Sequence, residues 1–238
     1  MVKYNINVWG EMMKVFCWDF DGTITVSNPL WTCCMVDALK LTEPNTNDSF
    51  FDVIRPYMAF GFPWHTPENN YSECTGDAWW ELMEKHFYRS YIECGINLTT
   101  AYEAAAKVKS IITQKARYTI YDDAIETLCK LREHGAKNIL LSNNYPELRI
   151  VLKALDIEEL FDEVIISAEV GYNKPNKKIF DIAKSKYPDA YYYMIGDSIN
   201  ADIFGGKQNG MTTILVHRGN SEESDYCFDN LFSIIRLA

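Results

Sequence analysis

The sequence predicts an α/β fold: a three-layer core in which helices cover both faces of a parallel sheet, with an all-helical segment inserted after the first strand. Three observations carry this expectation. Five short apolar runs read as strands buried on both faces, helical patterns precede and separate the last four of them, and one long interval after the first contains no strand pattern.

The first run is Val15-Phe16-Cys17-Trp18-Asp19-Phe20, rich in strand formers and ended by Asp21-Gly22. Asn138 to Ser142, Val164 to Ser167, Tyr191 to Gly196 and Thr212 to Val216 follow the same plan. Helical patterns run over Ala124 to His134, Pro146 to Leu155, Pro175 to Lys186 and Ala201 to Asn209. The interval from about Ser27 to Tyr118 holds only helical candidates and one irregular loop between Ala59 and Gly76. There Asp77 is expected to cap a helix carrying Trp80, Met83, Phe87 and Tyr91 at helical spacing. Thr100 followed by Glu103 reads as a capping box opening the Ala104-Ala105-Ala106 helix. The expected organisation is a discontinuous core of residues 12–26 and 119–238, a helical segment at 27–118, and an N-terminal extension at 1–11.

Composition sets bounds on function. A chain of 238 residues can bury a sizeable core, and 47% hydrophobic residues argue against disorder. No stretch approaches the ~20 apolar residues that span a bilayer, and the first residues lack the pattern of a signal peptide. A net charge of −10 disfavours nucleic acid or an anionic membrane as partner. Seven cysteines without paired spacing read as reduced thiols, with Cys17 and Cys129 expected in the core. A cytoplasmic protein with a small-molecule partner is the expectation; the oligomeric state is not legible.

Four polar clusters stand at or just after the ends of the apolar runs. Asp19 and Asp21, two apart at a strand end, start on the same face. Two carboxylates so close repel unless a cation or a proton separates their roles, as a nucleophile and a proton shuttle require. Gly22 permits a tight turn and Thr23 offers a hydroxyl. An Asp-Gly turn after a strand is ordinary by itself; the company of the other clusters makes it a candidate site. Ser142-Asn143-Asn144 could present a hydroxyl and backbone N–H groups to a phosphate oxygen, although such a run also suits a helix cap. Lys174, just before Pro175, could screen negative charge; one such pair at ~4 Å and an effective dielectric of ~20 is worth ~4 kcal/mol before desolvation. In Gly196-Asp197-Ser198 with Asp202, one carboxylate could hold a metal and the other a water ligand or Lys174. An all-oxygen set of this kind suits Mg²⁺.

These stretches, Asp19 to Thr23, Ser142, Lys174-Pro175 with Ile179-Phe180, and Gly196 to Asp202, resemble the four ordered motifs of the haloacid dehalogenase superfamily of hydrolases. The resemblance implies a Rossmann-like core with a helical cap between the first and second motifs. It makes Asp19 the nucleophile and Asp21 the general acid/base, with Asp19, the Asp21 carbonyl and Asp197 holding Mg²⁺. Ser142 and Lys174, with Thr23 and Asn143, would bind the phosphoryl group; Asp202 and Ser198 would support the metal ligands. The family's dehalogenases lack a carboxylate at the position of Asp21, so its presence favours phosphate chemistry. The implied activity is a Mg²⁺-dependent phosphomonoesterase acting on a nucleoside monophosphate or sugar phosphate through an aspartyl-phosphate. A phosphomutase would use the same residues, and a non-catalytic binding protein would use the surface of the helical segment.

Within that segment Trp79, Trp80, Phe87, Tyr88 and Tyr91 read first as helix core. Trp64 and His65 sit in the irregular loop, where binding residues tend to be placed, and are the candidates for substrate specificity.

Overall fold

The computed structural model describes residues 12–238, so the N-terminal extension at 1–11 lies outside the described residues. Six strands, β1 (Lys14–Trp18), β2 (Lys137–Ser142), β3 (Glu163–Ile166), β4 (Tyr191–Gly196), β5 (Thr212–Val216) and β6 (Tyr226–Phe228), form one sheet. Their order is β3-β2-β1-β4-β5-β6 and every pairing is parallel. The direction of winding therefore reverses between β1 and β4, where ligands bind in open α/β sheets.

Alternation along β1 shows why the strand is apolar throughout. Val15 and Cys17 enter the core on one face, with Ile139, Met194, Ile179 and Phe180. Phe16 and Trp18 enter the core on the other, with Leu128, Leu140 and Ile195. A strand packed on both faces has no solvated side to make polar.

Five α-helices lie in the segment between β1 and residue 118: α1 (Leu30–Thr42), α2 (Phe50–Ile54), α3 (Asp77–Glu93), α4 (Leu98–Ala105) and α5 (Val108–Ile112). Helix α1 packs on α4 and α5, and α3 packs on α4. The remaining helices are α6 (Ala124–Glu133), α7 (Leu148–Ala154), α8 (Ser167–Val170), α9 (Lys177–Lys186) and α10 (Gly205–Gln208), with a π-helical turn at Ile199–Phe204 leading into α10. The two chain passages that join the helical segment to the sheet pair with each other. Val26 N–H donates to the Thr119 carbonyl at 2.8 Å and Tyr121 N–H to the Ile24 carbonyl at 3.0 Å. One apolar cluster runs without interruption from Phe20 and Tyr145 beside the sheet to Met35, Trp79 and Phe87 in the helices.

Several local expectations are corrected. β6, three residues at the sheet edge, has too little apolar pattern to stand out. Asn97 rather than Thr100 caps α4: its side-chain oxygen accepts from Thr100 N–H at 3.0 Å, so the helix starts at Leu98. Helix α3 begins at Asp77 but its cap position is Gly76. Cys129 is only partly buried, whereas Cys17 is in the core; all seven thiols are free. No helix among the described residues is long and apolar enough to cross a membrane.

Candidate active site

Register brings the acidic clusters together. Trp18 stands level with Ile195, and Asp19 N–H donates to the Ile195 carbonyl at 2.9 Å. Asp19 and Asp197 therefore leave adjacent strand ends at the point where the winding reverses. The chain can turn this tightly because Gly22 has φ +77°, and a Cβ there would lie 2.4 Å from Asp197 Oδ2. Carboxylate oxygens of Asp19, Asp197 and Asp202 lie within 4.8 Å of one another.

Lys174 is the cation inside this cluster. Its side chain is 1% exposed, with Nζ 2.6 Å from Asp202 Oδ1 and 2.9 Å from Asp19 Oδ1. Burial works against the ammonium, but the neighbouring Asp19 and Asp202 outweigh it and hold Lys174 above the ordinary lysine value. Asp202 is fully buried and its other oxygen accepts from Ser198 N–H at 3.0 Å. Burial pushes its carboxyl up against the pull of Lys174. Gly196 makes room for it: a Cβ there would sit 2.0 Å from Asp202 Oδ2.

Asn143 reaches across from the end of β2 and grips the lysine's own backbone. Its Oδ1 accepts from Lys174 N–H at 2.7 Å and its Nδ2 donates to the Lys174 carbonyl at 2.9 Å. Both ends of this amide are thus engaged in placing Lys174. Asn144 Nδ2 donates to Asp21 Oδ2 at 2.9 Å, and Thr25 Oγ1 lies 3.5 Å from Asp21 Oδ1. Asp21 is exposed where it opens into the cavity. The protein around it first, and the Asp19 charge second, push its carboxyl up to about 7. Asp197 is also raised, by burial and by Asp19, although Arg218 donates to its Oδ2 through Nη2 at 2.6 Å and Nε at 3.2 Å.

A cavity of about 290 Å³ opens over these groups, with Asp19, Asp21, Asn143, Asn144, Lys174 and Ser198 on the sheet side. Ser27, Asn28, Leu30, Trp31 and Trp64, all from the segment between β1 and β2, line it as well, with Ala201.

A family model described as haloacid dehalogenase-like hydrolase matches residues 13–210. The chain belongs to this family. Among its relatives, glyceraldehyde 3-phosphate phosphatase of Methanopyrus kandleri is 36% identical over 126 residues, 51% of this chain and 54% of that protein. The chain thus spans about half the length of that relative. The protein of the same description from Pyrococcus abyssi is 28% identical over 219 residues, covering 87% of this chain and 83% of its own. In structure, the HAD-hydrolase YfnB from Bacillus subtilis, solved bound to magnesium, superposes with a TM-score of 0.69 at 18% identity, over 94% of this chain and 98% of that one. That last likeness concerns the fold.

Within this haloacid dehalogenase-like hydrolase, Asp19, Asp21, Asn143, Lys174, Ser198 and Trp64 meet at one cavity, with Asp197 and Asp202 in the acidic cluster beside it. Thr23 is fully buried with its hydroxyl unpartnered and does not line the cavity. Ser142, 1% exposed at the end of β2, does not line it either. His65 turns back on its own loop, where its Nδ1 accepts from Phe62 N–H at 3.3 Å. Asn144 stood in the sequence pattern only as the last residue of the Ser-Asn-Asn cluster, and Ser27, Asn28, Leu30, Trp31 and Arg218 carried no signal there. The others come from a loop, a helix start and the turn after β5, whose places depend on how the helical segment and the sheet meet.

Proposed function

We propose that this chain is a Mg²⁺-dependent phosphomonoesterase acting on a small phosphorylated metabolite, a nucleoside monophosphate or a sugar phosphate. The observation that carries the reading is the opening of Asp19 and Asp21 into one cavity with Lys174 2.9 Å from Asp19. That arrangement combines a nucleophile, a proton donor and a cation, which is the positioning and charge that phosphoryl transfer needs. The phosphatase names of the relatives support it.

The donor set fits a hard divalent cation: it is all oxygen, and Gly22 leaves the space through which Asp197 approaches the Asp19–Asp21 turn. Asp19, the Asp21 carbonyl and Asp197 would hold Mg²⁺, which when bound supplies positive charge against the phosphoryl oxygens. Asp202 then serves to place Lys174.

In the first step Asp19 attacks phosphorus in line while the Lys174 ammonium offsets the gathering charge. The Asp21 carboxyl, raised toward neutral pH and held by Asn144, protonates the departing oxygen. An aspartyl-phosphate on Asp19 and a free alcohol result. Asp21, now a carboxylate, takes a proton from a water that attacks the intermediate, releasing phosphate and restoring Asp19 and protonated Asp21. In this reading residues 12–26 and 119–238 are the catalytic core, and 27–118 is a cap that excludes bulk water through Trp31 and Trp64.

The test is phosphate release from an aryl phosphate and from a panel of nucleotides and sugar phosphates, with Mg²⁺ and with chelator. Release should require the metal and vanish in Asp19→Asn; an Asp19→Asn protein as fast as the parent would end the proposal.

A further inference from the structure

We propose that the site selects phosphate esters of a compact, uncharged, hydroxyl-bearing leaving group, such as a short polyol or sugar. It would reject esters whose leaving group carries a carboxylate or a second phosphate. This rests on the phosphomonoesterase reading and narrows its substrate.

Charge is the first argument. Among the described residues lining the cavity, Lys174 is the sole cation, and Asp19 and Asp202 already engage it at 2.9 Å and 2.6 Å. Cations on neighbouring elements are also paired: Arg117 with Asp37 at 2.5 Å, Lys109 with Glu147 at 2.5 Å, and Arg218 with Asp197. With the phosphoryl group against Asp19 and Lys174, the leaving group meets Ser27, Asn28, Leu30, Trp31 and Trp64, a wall without positive charge. An anion there would lose water and find no free cation, beside a phosphoryl group that already occupies Lys174, and an unpaired charge in that position works strongly against binding.

The wall itself suits hydroxyls and C–H faces. Asn28 Nδ2 donates only a long bond, 3.4 Å, to the Arg117 carbonyl, which leaves its side-chain oxygen and the Ser27 hydroxyl available to substrate hydroxyls. Trp31 and Trp64 provide apolar ring surface held from behind. Trp64 stacks on Phe62 at 4.6 Å, and Trp31 packs on Phe62 at 4.8 Å and edge-on to Tyr145 at 6.0 Å. Rings fixed in this way lose little freedom when a ligand lands on them. Size is the third argument. A cavity of about 290 Å³ falls at the lower end of ligand pockets, which run from about 300 to 1,000 Å³ for drug-sized molecules. It suits a few-carbon chain better than a nucleoside.

The experiment compares kcat/KM, with Mg²⁺, for 4-nitrophenyl phosphate, glycerol 3-phosphate, 3-phosphoglycerate and adenosine monophosphate. Glycerol 3-phosphate and 3-phosphoglycerate differ only in a terminal alcohol against a carboxylate. The alcohol should be favoured by about a hundredfold or more, and adenosine monophosphate should fall below it. Asn28→Lys, which puts a cation on the wall, should shift the ratio toward 3-phosphoglycerate by about tenfold. Hydrolysis of 4-nitrophenyl phosphate with equal use of the matched pair, or an unmoved ratio in Asn28→Lys, overturns the charge selection and leaves the phosphomonoesterase standing. Preference for adenosine monophosphate overturns the compact leaving group. No release from any of the four removes the phosphomonoesterase reading and this selectivity with it.

Discussion

Replacing Lys174 by Met should cost stability as well as activity, because the ammonium compensates a carboxylate that water does not reach. The Asp202 side chain is 0% exposed and its Oδ1 lies 2.6 Å from Lys174 Nζ. Removing one partner of a buried pair costs about 3–5 kcal/mol. For a chain of this size about 1 kcal/mol moves Tm by 2–4 °C, so a fall of roughly 6–20 °C is expected. The loss should depend on pH in one direction. Burial already raises Asp202, and without Lys174 it rises further above its unfolded value of about 3.9. A carboxyl raised in the folded state adds no cost below the unfolded value. Above it the cost grows by about 1.4 kcal/mol per pH unit until the folded value is passed. The parent, whose Asp202 is itself raised, bears the same cost until pH passes its own value, so the gap between parent and Lys174→Met should be small in acid, open around neutral pH and be widest at alkaline pH. The assay is urea denaturation at several pH values, with the double variant Lys174→Met/Asp202→Asn alongside. Neutralising both partners should recover most of the lost stability while phosphate release stays abolished. A single variant within about 1 kcal/mol of the parent at pH 8, or a double variant less stable than the single, would refute the compensation argument.

Three further outcomes follow from other contacts. Gly196→Ala should lose at least about 2 kcal/mol in urea denaturation, together with phosphate release, because its Cβ would lie 2.0 Å from the Asp202 carboxylate. Asn138→Leu should cost about 2–4 kcal/mol by thermal or urea unfolding. It strands the Trp18 indole N–H, now 3.1 Å from Asn138 Oδ1, and removes the donor to the Leu128 carbonyl at 3.0 Å. Mg²⁺ should raise Tm, by the equivalent of about 2.7 kcal/mol at a hundred times its Kd, and Asp197→Asn should abolish most of that rise in differential scanning fluorimetry.

Much of the catalytic end of the molecule was legible in the chain. The strand patterns of β1 to β5 are apolar on both faces, so period and composition alone mark them, and Tyr191–Gly196 and Thr212–Val216 coincide with the residues read from sequence. The short polar runs after those strands then stand at one edge of a parallel sheet by topology, which is why Asp19, Asp21, Lys174 and Asp197 could be grouped before any distance was known. What failed to show was whatever lacked a period or a cap of its own: the three-residue β6, the Asn97 cap, and the π-helical turn at Ile199–Phe204.

The chain by itself determined the α/β core, the inserted helices and the polar groups at the strand ends, because local patterns of burial and turn chemistry carry that information over a few residues at a time. Tertiary structure alone decided which of those groups reach the cavity and which are spent on one another. Asn143 proves to be occupied with the Lys174 backbone and Asp202 with its ammonium, while Thr23 and Ser142 are buried and are not among the residues that line the cavity. Trp31, unremarked in sequence, faces the site beside Trp64 because the helical segment folds back onto the sheet edge. Side-chain direction and contacts between residues a hundred positions apart follow from packing, and packing is not written in any short stretch of the chain.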